Sequence, residues 1–530
     1  MTTAPLPPLE HHPFLDGLRE RVLILDGGMG TSLQAAGLTP ADFGGDALDG
    51  CNEVLVRTRP DVIDRVHRDF LEVGVHAVQT DTFGGAPWVL DEYGLGKDTE
   101  ELNRLAAEVA RRAADAFATP GDPRFVVGSI GPGTRAPTLS LGKDPAATRD
   151  HIDVVTMEDG YRRQVRGLLD GGSDALLIET CFDLLQVKAA VAAANDVFVE
   201  RGQRVPLLVQ FTVEKDINTL LLGTEPQAAI AALDPLAIDV LGMNCATGPD
   251  DMREHVRTLA HQSRLPISVV PNAGIPHLED GRTVYPLTPQ GLAEAQHGFV
   301  TELGVSIVGG CCGTTPAHLA AVVEAVDGLA PRPRAVDRAG VVRRGAAGRL
   351  TDPAQLATER PTERPIEVRP ASGDDHLDAS TEVAPGRAPA TADGSTGSAA
   401  GSVGTEVAPG RDPVDARPPI TVEWRPALAS LYSAVPIEQE NAFLAIGERA
   451  NANGSKAFRE LLLAEDWDGM VQLARSQTRE GAHVLDVCVD YVGRAGAPDM
   501  IEVVDRYATQ STLPLVIDST EAEVIEAALT

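Results

Sequence analysis

The sequence predicts an α/β protein: a (β/α)8 TIM barrel, then a disordered linker, then the incomplete start of a second β/α barrel. Three observations carry this. Eight short apolar, β-branched runs alternate with longer helix-patterned stretches between residues 20 and 325. The alternation stops over residues 333–420, a tract rich in Pro, Ala, Gly, Ser and Thr. It resumes from about residue 440 and continues to the end.

The eight runs are VLILDG (22–27), AVQTDTF (77–83), FVVGSIGP (125–132), ALLIET (175–180), PLLVQFTV (206–213), VLGMNCA (240–246), ISVVPNAG (267–274) and VSIVGGCCG (305–313). Between them lie stretches such as ELNRLAAEVARRAADAF (101–117), with apolar residues at helical spacing. Strand–helix alternation implies parallel strands joined by crossover helices. Eight such units suit a closed barrel, with an open doubly wound sheet as the alternative. Each run ends on its C-terminal side in polar or glycine-rich residues, the face on which such barrels build their sites. Residues 1–332 are assigned to this barrel.

Residues 333–420 contain ATERPTERP (357–365) and two copies of TEVAPGR (381–387 and 405–411). Large aliphatics are sparse, and no aromatic appears until Trp424. Such a tract cannot bury enough apolar surface to offset its ordering entropy, so a disordered linker is expected. The repeat is too short and too polar for a solenoid unit. Residues 421–530 return to a globular pattern with FLAIGERANANGS (443–455), a helix over 467–481, HVLDVCVD (483–490), a helix over 497–511 and PLVIDST (514–520). A parallel sheet left at three strands exposes an edge. The chain is therefore read as a fragment, or its last part as weakly stabilised.

The formal charge of −32 and a pI near 4.7 argue against nucleic acid or an anionic membrane as partner, because both demand a basic footprint. The start, MTTAPLPPLEHHPFLDGLRE, lacks the basic and apolar regions of a signal peptide, and no apolar run approaches a bilayer's thickness. A cytoplasmic protein is expected, with its six cysteines reduced. Clustered thiols then read as metal ligands or catalytic groups.

Cys245 ends the sixth run, and Cys311 and Cys312 end the eighth. In a closed barrel these ends share one rim, so three thiolates can converge on one ion. Zinc accepts sulfur, and its catalytic sites keep the fourth position open. Neighbouring ligands are awkward on a regular strand, where adjacent side chains point to opposite faces. Glycines 309, 310 and 313 can let the backbone bend. The alternative is three buried apolar thiols; a vicinal disulfide would strain the backbone. Cys51 and Cys181 lack such company and read as structural. An open three-thiolate zinc site suits the binding of a substrate thiol as thiolate, so the reaction class is alkyl transfer to sulfur.

The motifs LDGGMGT (25–31), QTDTFGG (79–85), GSIGP (128–132), IET (178–180), GMNC (242–245), PNAG (271–274) and GGCCGT (309–314) resemble the homocysteine-binding barrel of homocysteine S-methyltransferases, over roughly residues 15–328. GERANANGS (447–455), LDVCVD (485–490) and IDS (517–519) resemble the opening of a pterin-binding barrel. The order of the two regions resembles the cobalamin-dependent methionine synthase family.

This resemblance implies that Cys245, Cys311 and Cys312 are catalytic zinc ligands. It implies that the Asn272 side-chain oxygen fills the fourth position until a substrate thiol displaces it; a turn-forming Asn is the alternative. Asp26 and Glu179 match positions that hold the homocysteine amino group, although rim carboxylates can also be helix caps or solvated charges. Gly27, Gly28 and Ser129 match donors to the substrate carboxylate. Glu448, Asn451, Asp486 and Asp518 match pterin-contacting positions, and Cys488 stands where the family often has Asn. The implied reaction moves a methyl group from methylcobalamin to zinc-bound homocysteine thiolate, giving methionine and cob(I)alamin; 5-methyltetrahydrofolate then remethylates the cobalamin. No cobalt-ligating histidine motif is seen, so methylcobalamin is expected on a module absent from this chain, in the remainder of the protein or on another chain. The linker is expected to let that module visit both barrels. By itself the chain is expected to bind homocysteine and zinc, and folate poorly.

Two other readings stay open. One is a cobalamin-independent methyltransferase that uses betaine or S-methylmethionine. The other is a structural or redox zinc protein, for which His277 and His318 are possible fourth ligands.

Overall fold

Alternation within the apolar runs sorts their side chains into two layers, and that sorting builds the barrel. In the computed structural model, residues 5–9, 11–138, 152–279, 282–336, 417–439 and 442–529 are described. The eight runs form β1 (Leu23–Ile24), β2 (Ala77–Gln79), β3 (Phe125–Ile130), β4 (Ala175–Cys181), β5 (Leu207–Phe211), β6 (Val240–Asn244), β7 (Ile267–Val270) and, after an inserted hairpin, β10 (Ile307–Val308). Their order is β1-β10-β7-β6-β5-β4-β3-β2, and every pairing is parallel. A parallel bridge from Leu25 to Ala77 closes the ring between β1 and β2. The barrel therefore holds, and the open sheet does not.

Inward-facing Leu23, Phe125, Val127, Ala175, Leu177 and Leu208 belong to one buried cluster. The helix Pro13–Glu20 adds Phe14 and Leu18 to it, and Phe14 meets Phe125 edge-on with ring centroids 5.3 Å apart. Because Leu23 and Phe125 begin their strands, this helix stoppers the barrel's N-terminal end. Alternate residues such as Val126, Leu176, Val209 and Leu241 join a larger cluster between the strands and the surrounding helices. The inward series turns polar at the C-terminal end: Phe125, Val127, then Ser129 on β3; Ala175, Leu177, then Glu179 on β4; Ala77, then Gln79 on β2. The mouth of the barrel is thus polar by the same alternation that makes its interior apolar.

The hairpin between β7 and β10 was not foreseen. Its strands β8 (His277–Glu279) and β9 (Arg282–Val284) pair antiparallel. Residues 277–279 are exposed, so no buried face marks them in the sequence.

Most of the expected linker, residues 337–416, lies outside the described residues, and the expectation of disorder falls there. Its two flanks are ordered. Strand β11 (Arg334–Val336) pairs in parallel with β12 (Ile420–Val422), Arg334 opposite Ile420 and Val336 opposite Val422. Ile420 and Val422 are buried, which gives this short pairing an apolar anchor. The two ends of the intervening stretch thus lie side by side.

A strap follows. Its hairpin, β13 (Ala427–Ala429) with β14 (Ala434–Pro436), packs on the helix Pro226–Leu233. The Tyr432 carbonyl accepts from Glu225 N–H at 2.8 Å, and its hydroxyl donates to the Thr509 carbonyl at 2.6 Å. Arg264 lies over the Trp424 ring at 4.3 Å.

The last region carries β15 (Ile446–Asn451), β16 (Val484–Cys488) and β17 (Leu515–Ile517) in parallel order. The expected helices appear at Trp467–Arg479 and Gly496–Gln510. A further helix, Lys456–Ala464, starts where the Ser455 hydroxyl accepts from Phe458 N–H. Phe458, Leu462, Met470, Val487 and Tyr507 form this region's own core. All described residues fall in one compact unit. Among them, no helix is long and apolar enough to cross a membrane.

Candidate metal and thiol site

Cys245 follows β6 with φ +59°, and Ala246 has φ +56°. Left-handed conformations of this kind are rare away from glycine. They turn the chain sharply, and Thr247 N–H closes the turn on the Cys245 carbonyl at 2.6 Å. The Cys311–Cys312 pair is held from both sides. Gly310 N–H donates to the Asp26 carbonyl at 3.1 Å, Cys311 N–H to Pro271 at 2.9 Å, and the Cys312 carbonyl accepts from Ala273 at 2.9 Å. The expected bend at the glycines is clearest at Gly313. Its φ is +78°, and a Cβ there would lie 2.0 Å from the Tyr285 ring.

The three sulfurs converge as the spacing predicted. Cys312 Sγ lies 3.9 Å from Cys245 Sγ and 3.9 Å from Cys311 Sγ, and all three fall within 4.8 Å of one another. Tetrahedral zinc with bonds of about 2.3 Å would space its sulfurs about 3.8 Å apart, so the donor set fits that ion. The thiols feel one another strongly. Hydrogen bonds from Cys245 and then Cys311 hold the Cys312 thiol down to about 3. Cys311 is pushed well up, first by its contact with Cys245, then by Cys312 and burial. Three thiols this close cannot all ionise without a cation among them.

Neither histidine joins the sulfurs. His318 Nδ1 meets Thr315 Oγ1 at 2.9 Å and its Nε2 meets the Leu287 carbonyl at 2.9 Å, so both ring nitrogens are engaged. His277 is exposed on β8 beside Glu279 at 3.9 Å. Asn272 is buried, and its Oδ1 accepts from Cys312 N–H at 3.1 Å. In this state it positions a sulfur-bearing residue.

Two acids lie at the same mouth. Asp26 is 1 % exposed and Glu179 is 9 % exposed, and neither forms an ion pair among the described residues. Gln79 donates to Asp26 from its side chain and its backbone, both at 3.0 Å. Burial nevertheless pushes the Asp26 carboxyl up to about 7. The Ser129 hydroxyl donates to Glu179 at 2.5 Å and Asn244 Nδ2 donates at 3.0 Å, yet burial lifts Glu179 to about 7 as well. Two carboxyl groups desolvated in this way make a receptacle for a cationic group.

Ser129, expected to face a substrate carboxylate, is therefore engaged with Glu179. Gly28 N–H donates to Thr314 Oγ1 at 3.2 Å. Gly27 and Gly28 admit no side chain: a Cβ would come within 2.7 Å of the Phe70 ring and of the Cys311 carbonyl, respectively. Gln79, Asn244 and Tyr285 are the additions. Gln79 was readable from inward parity and Asn244 from its place before Cys245; Tyr285 carried no signal.

The sequence model of homocysteine S-methyltransferases matches residues 23–326. The chain belongs to the homocysteine S-methyltransferase family. Residues 447–530 match the model of pterin binding enzymes. The methionine synthase of Mycobacterium tuberculosis (strain ATCC 25618 / H37Rv) is 40% identical over 515 residues, covering 97% of this chain and 35% of that protein. The methionine synthase of Mycobacterium leprae (strain TN) is 40% identical over 519 residues, with the same two coverages. The chain thus spans about a third of the length of these curated relatives. Among solved structures, the metallated form of the homocysteine methyltransferase MmuM from Escherichia coli aligns with a TM-score of 0.45 and 24% identity, over 58% of this chain and 97% of that one.

In this S-methyltransferase-family chain the second region brings three of its four expected pterin residues together. Asn451 Nδ2 donates to Asp486 Oδ2 at 2.8 Å and reaches Asp518 Oδ2 at 3.4 Å. Asn451 Oδ1 accepts from Asn453 N–H at 2.9 Å. Glu448 is exposed on β15, and among the described residues it makes no hydrogen bond to these three. Cys488 is buried, and its sulfur lies 3.7 Å from Asn453 Nδ2.

Proposed function

We propose that this chain is the homocysteine-binding part of an enzyme that makes methionine by methyl transfer to sulfur. The observation that carries the reading is the pairing of two features at one barrel mouth: three converging sulfurs, and two buried acids that form no ion pair among the described residues. A bound zinc ion would supply the Lewis acidity that keeps a substrate thiol deprotonated near neutral pH. Cys245, Cys311 and Cys312 would hold that ion, with Asn272 beside them. Asp26 and Glu179 receive the substrate ammonium, and Gly27 and Gly28 let Phe70 and the Cys311 carbonyl pack closely behind the rim. The carboxylates and the sulfurs together fix the amino acid at both ends, which orients its sulfur toward the open mouth.

The methyl donor in this reading is methylcobalamin, carried by a module outside this chain and replenished from 5-methyltetrahydrofolate. The match of residues 447–530 to pterin binding enzymes supports a folate donor over betaine or S-methylmethionine. Asn451, Asp486 and Asp518 are the proposed pterin contacts, with Glu448 at the same strand. We assign the protein to the cytoplasm, where the free thiols would stay reduced.

Zinc K-edge X-ray absorption on the purified chain tests the reading. Three sulfurs and one light atom should become four sulfurs when L-homocysteine is added. An unchanged first shell would point to a structural site instead. Absence of zinc would return the cysteines to plain buried thiols.

A further inference from the structure

Asn244 is the last residue of β6 and is 1 % exposed. Its amide bridges two strands. Nδ2 donates to Glu179 Oε2 at 3.0 Å and to Thr180 Oγ1 at 2.8 Å, and Oδ1 accepts from Thr180 N–H at 2.8 Å. These partners fix which end of the amide is which, because a backbone N–H must meet oxygen and a carboxylate must meet the NH2 group. Both donors are thereby used inside the protein.

Backbone strain gathers around this one side chain. Thr180 has φ +55°, Cys245 +59° and Ala246 +56°. Each such conformation is strained for a residue with a Cβ and persists only where the surroundings hold it. The pairing of β4 with β5 also shifts register between Ile178 and Cys181, just where Thr180 sits. Asn244 bonds Thr180 directly and is covalently joined to Cys245. One amide therefore ties the acid at the amino-group end of the mouth to the strand end that carries a sulfur.

We propose that Asn244 is a positioning residue that couples capture of the substrate ammonium at Glu179 to the placement of Cys245, so that the site prefers an α-amino thiol to a plain thiol. This rests on the reading above, that the mouth takes a thiol and an amino group together. When an ammonium draws on Glu179, the carboxylate keeps its hold on Asn244, and the turn through Cys245 stays in the geometry that accepts a sulfur. A thiol without an amino group gains nothing from this link.

The test uses the full chain loaded with Co(II), whose ligand-field and thiolate charge-transfer bands report sulfur entry, titrated with L-homocysteine and with 4-mercaptobutyrate, which keeps the thiol and carboxylate but lacks the amino group. The unmodified chain should prefer homocysteine. In Asn244→Ala that preference should shrink about tenfold, the range of coupling expected between residues in one hydrogen-bonded network. The loss should fall on homocysteine, with 4-mercaptobutyrate unchanged. Asn244→Leu keeps the branched shape but neither donates to Glu179 nor accepts from Thr180 N–H; it should lose the preference too, with the three-sulfur cobalt spectrum retained. Equal weakening of both thiols, an unchanged preference, or loss of cobalt from both variants would overturn the coupling. If neither thiol alters the spectrum of the unmodified chain, the thiol-binding reading itself fails, and that result is seen before any variant is made.

Discussion

Asp26 and Glu179 each carry a carboxyl group that would rather stay protonated, and this makes the barrel mouth sensitive to pH. Their ordinary values are 3.8 and 4.5, and burial raises both to about 7. Below about pH 4 the folded and unfolded chains both hold these protons, and the acids have no effect on stability. Between pH 4 and 7 the unfolded chain releases them while the folded chain keeps them, so stability falls as pH rises. Above pH 7 the loss is complete, at most about 3 kcal/mol for Glu179 on a scale of 1.36 kcal/mol per pH unit. Glu179→Gln should match the original chain at pH 4.5 in urea denaturation. By pH 8 it should be the more stable of the two, and homocysteine should narrow the gap only in the original chain. A difference that stays constant with pH would mean that Glu179 is ionised already. At this scale the convergence of the three sulfurs was legible, because strand ends on one rim must lie close together. The acids were legible only through family motifs. Gln79 and Asn244 carried a positional signal, inward parity and the place before Cys245, but the partners that give an amide its purpose were not readable.

Elements were read best where their pattern is long. The helix expected over 101–117 is observed at Thr99–Phe117, and β3 and β4 carry the alternation that places Ser129 and Glu179 inward. The first and eighth runs shrink to two residues of strand each, because their C-terminal halves leave the sheet to form the loops of the site. The hairpin β8–β9 escaped notice because its first strand is exposed throughout, and Lys456–Ala464 because its helical pattern is short. That hairpin leads into Tyr285, whose ring covers Gly313. Gly313→Ala would meet both a left-handed φ and the ring. It should cost more than about 1 kcal/mol in chemical denaturation and lower the zinc content of the purified chain. Gly313→Ala combined with Tyr285→Ala should recover the part due to the clash and leave the backbone part. Full stability and full zinc content in the single variant would show that the loop adapts freely.

For the whole molecule, composition and periodicity pointed to a barrel and to a second β/α region, and both sheets are observed. What they did not reveal is the strap: Tyr432 bonding both Glu225 and Thr509, and Trp424 under Arg264, are single contacts without periodicity. Replacing residues 338–415 with about fifteen Gly and Ser residues leaves room for a parallel return between β11 and β12. Loop entropy changes slowly with length, about 0.6 kcal/mol per doubling, so this shortening should stabilise by about 1.4 kcal/mol, raise the denaturation midpoint slightly and leave the zinc content unchanged. A large drop in either would assign those residues a structural duty.

The pairing of Arg334–Val336 with Ile420–Val422 sets the two ends of the stretch between them side by side, so a change of length there need not move the strands that make the site. Descendants of this gene could lengthen, trim or rewrite it while the chemistry at the mouth goes on unchanged. A fluorescent domain could be seated in it for the same reason, to follow metal loading in living cells without touching the barrel strands.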